Sequence, residues 1–105
     1  PMNITETLAP ILALLDDAGI DPDDVHDIGP RVEEVYLTMS GLAVLGEHLG
    51  TEPAAYMNLE RWAYFQIHHG QCRYWAAADY AKLTDRQREQ AEAVRASKAA
   101  PKAVA

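Results

Sequence analysis

The sequence predicts an all-α protein: one small helical domain over residues 1–99, followed by a flexible tail at 100–105. Three observations lead there. No stretch alternates polar and apolar residues convincingly enough for a half-buried strand. Apolar residues instead recur three and four apart in several windows. The breaks between those windows carry helix stop and start signals: Gly19, Gly50-Thr51 and Thr84-Asp85-Arg86-Gln87. About four helices are expected, one of them long and rich in aromatics.

The first helix spans about Ile4–Ala18. Ile4, Leu8, Ile11, Leu12 and Leu15 recur at helical spacing, and Gly19 is placed to end it. Pro10 leaves two readings open. The helix kinks there or begins there, because proline fits a first helical turn and breaks a later one.

"DDAGIDPDDVHDIGP" follows, with six aspartates between positions 16 and 27. Asp21, Pro22 and Asp24 read as the N-cap, first-turn proline and first-turn acid of one short helical turn. Gly29-Pro30 closes it and opens the second helix, expected over about Pro30–Leu49. Val32, Val35, Tyr36, Met39, Leu42, Ala43 and Leu49 form its apolar stripe. Gly41 and Gly46 thin that helix and leave room for another backbone.

The third helix is expected over about 52–82, and seven of the eight aromatics lie in this segment. From Trp62 to Ala81 apolar residues cover nearly the whole helical circumference. Such a helix needs cover on every side. Three other helices, one largely polar, are too few to supply it. The segment therefore predicts an interface made by Tyr56, Trp62, Tyr64, Phe65, His69, Tyr74, Trp75 and Tyr80. Its counterpart is a larger protein partner, or a second copy in a homo-oligomer. Gly70 divides the segment and marks a bend or break. The last helix opens on the capping box Thr84–Gln87 and runs to about Ala99, with only Leu83, Ala91 and Val94 as a seam.

Charge narrows the function classes. Residues 1–60 carry twelve acids and only Arg31, whereas 61–105 carry eight bases and four acids. The first part repels nucleic acid and the second attracts it weakly, so nucleic acid is not an expected partner. The asymmetry suits a protein with a complementary surface. No apolar run approaches about 18 residues, and no secretory signal pattern is present. A soluble cytoplasmic protein without a membrane segment is expected, and the single Cys72 fits a reducing compartment.

Four constellations invite a chemical reading. His26-Asp27-Ile28-Gly29 spells a string found in metal-dependent phosphohydrolases, but the companion ligands are missing. A turn in which Asp27 caps backbone amides and His26 is solvated is the expectation instead. The aspartate run fits no EF-hand register: counted from Asp21, position six is His26 and position twelve is Val32. His68 and Cys72, four apart, would share a helical face beside His69, yet one helix does not complete a tetrahedral zinc site. Cys72 with a neighbouring histidine lacks oxyanion donors inside a helix. No catalytic or metal-binding residue is therefore expected in this chain.

Read together, "VHDIGP" at 25–30, "EEVYLTMSGLAVLG" at 33–46, "YMNLERW" at 56–62 and "KLTDRQREQAEAVRA" at 82–96 give a resemblance. They resemble the N-terminal helical region of the β subunit of nitrile hydratase and thiocyanate hydrolase. The resemblance implies a non-autonomous small subunit of a hetero-oligomeric, nitrile-hydrating lyase. Cobalt or iron would sit in a cysteine-rich partner α chain and act as a Lewis acid. This chain would hold no cofactor. It would wall the active site, with Arg31, Tyr36 and Arg61 as the residues supporting the metal's surroundings from behind. The rival reading is an acidic helical adaptor or inhibitor that covers a basic surface without catalysis.

Overall fold

A computed structural model of the chain describes residues 4–29 and 33–99. It overturns the all-α expectation. The chain forms three α-helices and a five-stranded mixed sheet. Helix α1 spans Ile4–Ala18, α2 Met39–Leu49 and α3 Asp85–Ala99; the strands are β1 Val25–Ile28, β2 Glu34–Leu37, β3 Ala54–Asn58, β4 Trp62–His69 and β5 Cys72–Asp79.

The error is one of period. The expected aromatic helix is three strands, β3, β4 and β5. Along β5 every second residue is buried, from Cys72 through Tyr74 and Ala76 to Ala78, and the residues between are half-buried. Along β4 the buried set is Ala63, Phe65 and Ile67. The outward parity mixes Trp62, Tyr64, Trp75 and Ala77 with the polar Gln66, His68, Arg73 and Asp79, and its large apolar share makes a period of two resemble a helix apolar all round. Gly70 is no helix bend. With φ of 62° it sits in the two-residue turn between the paired His69 and Cys72, a conformation glycine adopts without steric cost.

The second predicted helix is likewise split. Its first half is strand β2, and helix α2 begins only after Thr38. The Thr38 hydroxyl accepts the Gly41 N–H at 3.0 Å and donates to Asp24 Oδ1 at 2.9 Å. Gly50, with φ of 68°, ends α2. The predicted close approach at Gly46 is real: a Cβ there would lie 2.6 Å from the carbonyl oxygen of Thr51.

Elements with strong local signals form where expected. Helix α1 begins before Pro10 and continues past it, so it does not start there. Asp21 caps a short 3-10 turn, Pro22–Asp24, accepting the Asp23 N–H at 2.9 Å. Thr84 and Gln87 form the capping box of α3, with N–H to side-chain distances of 3.2 and 2.9 Å. The expected tail at 100–105, and Pro30 and Arg31, lie outside the described residues.

The strand order is β1-β2-β5-β4-β3. β1 and β2 form an antiparallel pair; α2 then carries the chain across to the far edge. The meander β3-β4-β5 returns to the middle, where β5 lies parallel to β2. All three helices join one core on one face of this sheet. Ile11 and Leu15 of α1, Leu42 and Leu45 of α2 and Ala91 of α3 pack with Val35, Leu37, Phe65, Ile67 and Tyr74. Asn58 at the end of β3 donates to the Ala91 carbonyl at 2.8 Å, tying α3 to the sheet. No helix among the described residues is long and apolar enough to cross a membrane.

Candidate functional site: the uncovered sheet face

The side chains opposite the core form a connected row of rings. His26 lies 4.6 Å from Tyr36 between centroids; Tyr36 stacks on Trp75 at 4.1 Å with an interplanar angle of 6°. Trp75 to Tyr64 and Tyr64 to Tyr56 are 6.1 Å each. The row visits β1, β2, β5, β4 and β3 in turn, one ring from every strand of the sheet.

Register builds it. Tyr36 sits directly opposite Trp75 in the parallel pair β2/β5, and Tyr64 opposite Ala77 in β4/β5. At the two edges the alternation places a ring on this face, and a bulge adds one further residue beside it. Val25 pairs with Leu37 and Asp27 with Tyr36, leaving His26 as the extra residue of β1. Ala55 pairs with Phe65 and Met57 with Tyr64, leaving Tyr56 as the extra residue of β3. Bulges set two residues opposite one at a sheet edge in this way.

Arg73 holds the middle. Its guanidinium lies 5.0 Å from the Tyr56 ring centroid and 5.9 Å from that of Trp75, and it pairs with Glu34 at 2.8 Å. Burial among these groups raises the Tyr56 phenol above its ordinary range, with Arg73 pulling the other way. The stacked Tyr36 and Trp75 come from neighbouring strands, so the line between their centroids runs along the sheet. Parallel planes at 4.1 Å then mean upright rings whose faces cover each other. The face presents ring edges and polar tips to its surroundings rather than open ring faces.

The predicted interface residues do not stay together. Tyr56, Trp62, Tyr64 and Trp75 lie on the uncovered face, with Trp62 41% exposed. Phe65 and Tyr74 belong to the core, at 1% and 2% exposure, because they occupy the other parity of the same strands. Burial pushes the Tyr74 phenol well above its ordinary range and raises the neighbouring Cys72 thiol as well. His69 sits at the β4–β5 turn beside α1, lining a small cleft with Pro10 and Cys72. Tyr80 leaves the sheet altogether: its hydroxyl bonds Glu92, and Arg88 and Arg95 approach its ring from α3.

Of the residues expected to support a metal site, Tyr36 joins the ring row. Arg61 lies in the β3–β4 turn with its guanidinium 5.6 Å from the Trp62 ring centroid. His68 and Cys72 do not share a face, as helical spacing implied. Cys72 points into the core, and His68 is opposite Arg73 on the uncovered side. The string at 26–29 is no capped turn: His26 and Asp27 are strand residues, both exposed. Among the described residues no group of three or more His, Cys, Asp and Glu side chains is placed to hold a metal.

The sequence reading missed His26, Glu34 and Arg73 as parts of the site. The available signal was the alternation in "WAYFQIHHGQCRYWAAAD", with a glycine turn at its centre. Comparison with known proteins adds no relative: no protein family, no curated protein and no solved structure matches the chain.

Proposed function

We propose that this chain is a non-autonomous binding protein whose uncovered sheet face docks on a partner protein. The observation that carries the reading is the five-ring row, crossing every strand on a face against which no described helix packs. Tyr and Trp with a central Arg are the side chains that dominate protein interfaces.

Nucleic acid is left out of the reading on two grounds. A stacking platform needs free ring faces, and here Tyr36 and Trp75 cover each other while Arg73 lies over Trp75 and Tyr56. The chain is also strongly acidic, at −7. The acids Asp21, Asp23, Asp27, Glu33 and Glu34 are exposed around the β1–β2 side of the face. A partner with basic side chains there and apolar ones towards Leu59 and Trp62 is complementary.

Size sharpens this. Five strands about 4.8 Å apart and up to about 26 Å long give a face of at most roughly 600 Å². A standard interface takes about 800 Å² from each side. The partner therefore extends past Trp62 at the end of β4, 41% exposed, and beyond the face onto Leu59, 51% exposed. A cytoplasmic location belongs to the same reading and is supported by the lone, reduced, buried Cys72.

The test is affinity purification from the source cells, followed by titration of the identified partner against the wild-type chain, Trp75→Ala and Tyr64→Ser. Each substitution is expected to weaken binding by tenfold or more, about 1.4 kcal/mol. Unchanged affinity in both variants sinks the reading. Co-expression with a cobalt-type α chain is the arm specific to a nitrile-hydrating enzyme. Sedimentation of the purified chain is the arm for self-association.

A further inference from the structure

We propose a second site, which meets the ring row only at His26: a cleft at the strand ends that binds a small amphiphilic anion, an apolar body carrying a phosphate or carboxylate. The cleft has a volume of about 490 Å³ and lies where β2 and β5 run out together. From that edge the chain leaves in two directions. Thr38 leads β2 into α2, and Asp79 leads β5 into a 3-10 turn, Tyr80–Lys82. In α/β sheets the crevice beyond the carboxyl ends of parallel strands, where connections diverge, is the habitual ligand position. The floor is cut low by Ala77 and Ala78, which place no bulk at the end of β5.

Two cationic side chains, Arg61 and Lys82, reach this cleft from different turns. The turns are joined by a 2.8 Å hydrogen bond from the Tyr80 N–H to the Arg61 carbonyl, so the backbone positions from which the two cations extend are fixed together by the fold. Neither forms an ion pair with a carboxylate among the described residues, while Arg73 and Arg86 both do. One carboxylate, Asp79, also lines the cleft, but its Oδ1 accepts the Ala81 N–H at 3.0 Å. The first turn of α2 adds the positive end of its dipole through Thr38 and Met39. The remaining wall is made by Trp62, Met39 and Leu83, with the polar side chains of His26 and Gln87. Cations, one of them 5.6 Å from the Trp62 ring centroid, beside an indole and two aliphatic side chains define an anion with an apolar body, in a pocket of ligand size.

Phenyl phosphate is the probe, titrated against the ¹⁵N-labelled full chain, with inorganic phosphate and phenol as the charge-only and ring-only arms. Saturable shifts are expected at the Trp62 indole N–H and the Ala77 and Ala78 amides, with a dissociation constant below about 1 mM. Phosphate and phenol alone should bind at least tenfold more weakly. The double substitution Arg61→Gln, Lys82→Gln should abolish binding of phenyl phosphate. Ala77→Leu, which fills the cleft without touching its charge, should do the same. No saturation below about 10 mM overturns the proposal. So do shifts confined to Trp75 and Tyr36, equal binding of inorganic phosphate, or tighter binding of a single-stranded oligonucleotide. If Ala77→Leu fails to fold, the surface double substitution still decides.

Discussion

The two faces of the sheet use the same residue types for different ends. On the core face Phe65 and Tyr74 are almost wholly buried, and each is surrounded by aliphatic side chains from helices and strands. On the other face Tyr36, Tyr64 and Trp75 are only half-buried and mainly shield one another. An aromatic on the first face contributes through area removed from water and through filled volume. One on the second contributes a ring pair and leaves an edge and a polar tip available. Adjacent positions, such as Tyr64 and Phe65, thus fall under different constraints although they are neighbours in the chain.

The comparison can be broken most directly at its strong side. Phe65→Ala should cost about 3–5 kcal/mol, enough to unfold much of a chain this small, measured by urea denaturation. Trp75→Ala should cost only about 1–2 kcal/mol in the same assay, since it loses ring contacts without opening an enclosed cavity. Equal losses would mean the second face is covered after all. Gly46→Ala tests the crossover helix: a Cβ there meets the Thr51 carbonyl oxygen, so α2 must shift, at about 1–3 kcal/mol.

Alkaline titration sharpens the contrast further. Cys72 and Tyr74 ordinarily ionise at 9.0 and 10.0, and burial raises both in the folded state. Below pH 9 both forms of the chain hold these protons, and their contribution is fully present. Above it the unfolded chain binds fewer protons than the folded one, so stability falls as pH rises. Tyr74→Phe should flatten that fall, whereas Tyr36→Phe, on the uncovered face, should leave its core-derived part in place. The smallest effect is expected from Arg73→Met. Its ion pair with Glu34 is partly exposed, so stability should change by less than about 1 kcal/mol while partner affinity drops more.

Legibility in the sequence followed the range of the forces involved. Asp21 and Thr84 as caps, Gly50 as a stop and the extent of α1 were readable because each rests on bonds within a few residues. The strands were not. In β4 and β5 the core face is apolar and the outward face sets rings and alanine among Gln66, His68, Arg73 and Asp79, so the period that identifies a strand was weakened though present. The candidate site was less legible still. Its aromatics were noticed, but as a helical surface that wrongly included Phe65, Tyr74 and Tyr80 and omitted His26 and Arg73.

The sequence by itself determined the local punctuation, the excess of acid in its first sixty residues, and the concentration of aromatics after Glu52. Only the tertiary structure decided which of those aromatics are core and which are surface. That choice is made by strand register. β5 inserts between β2 and β4, which sets Tyr36 beside Trp75 and Trp75 near Tyr64, and the edge strands add His26 and Tyr56, each at a bulge. Pairing between residues some forty positions apart is set by the sheet as a whole, because a slip of one residue would send every side chain of a strand to the opposite face.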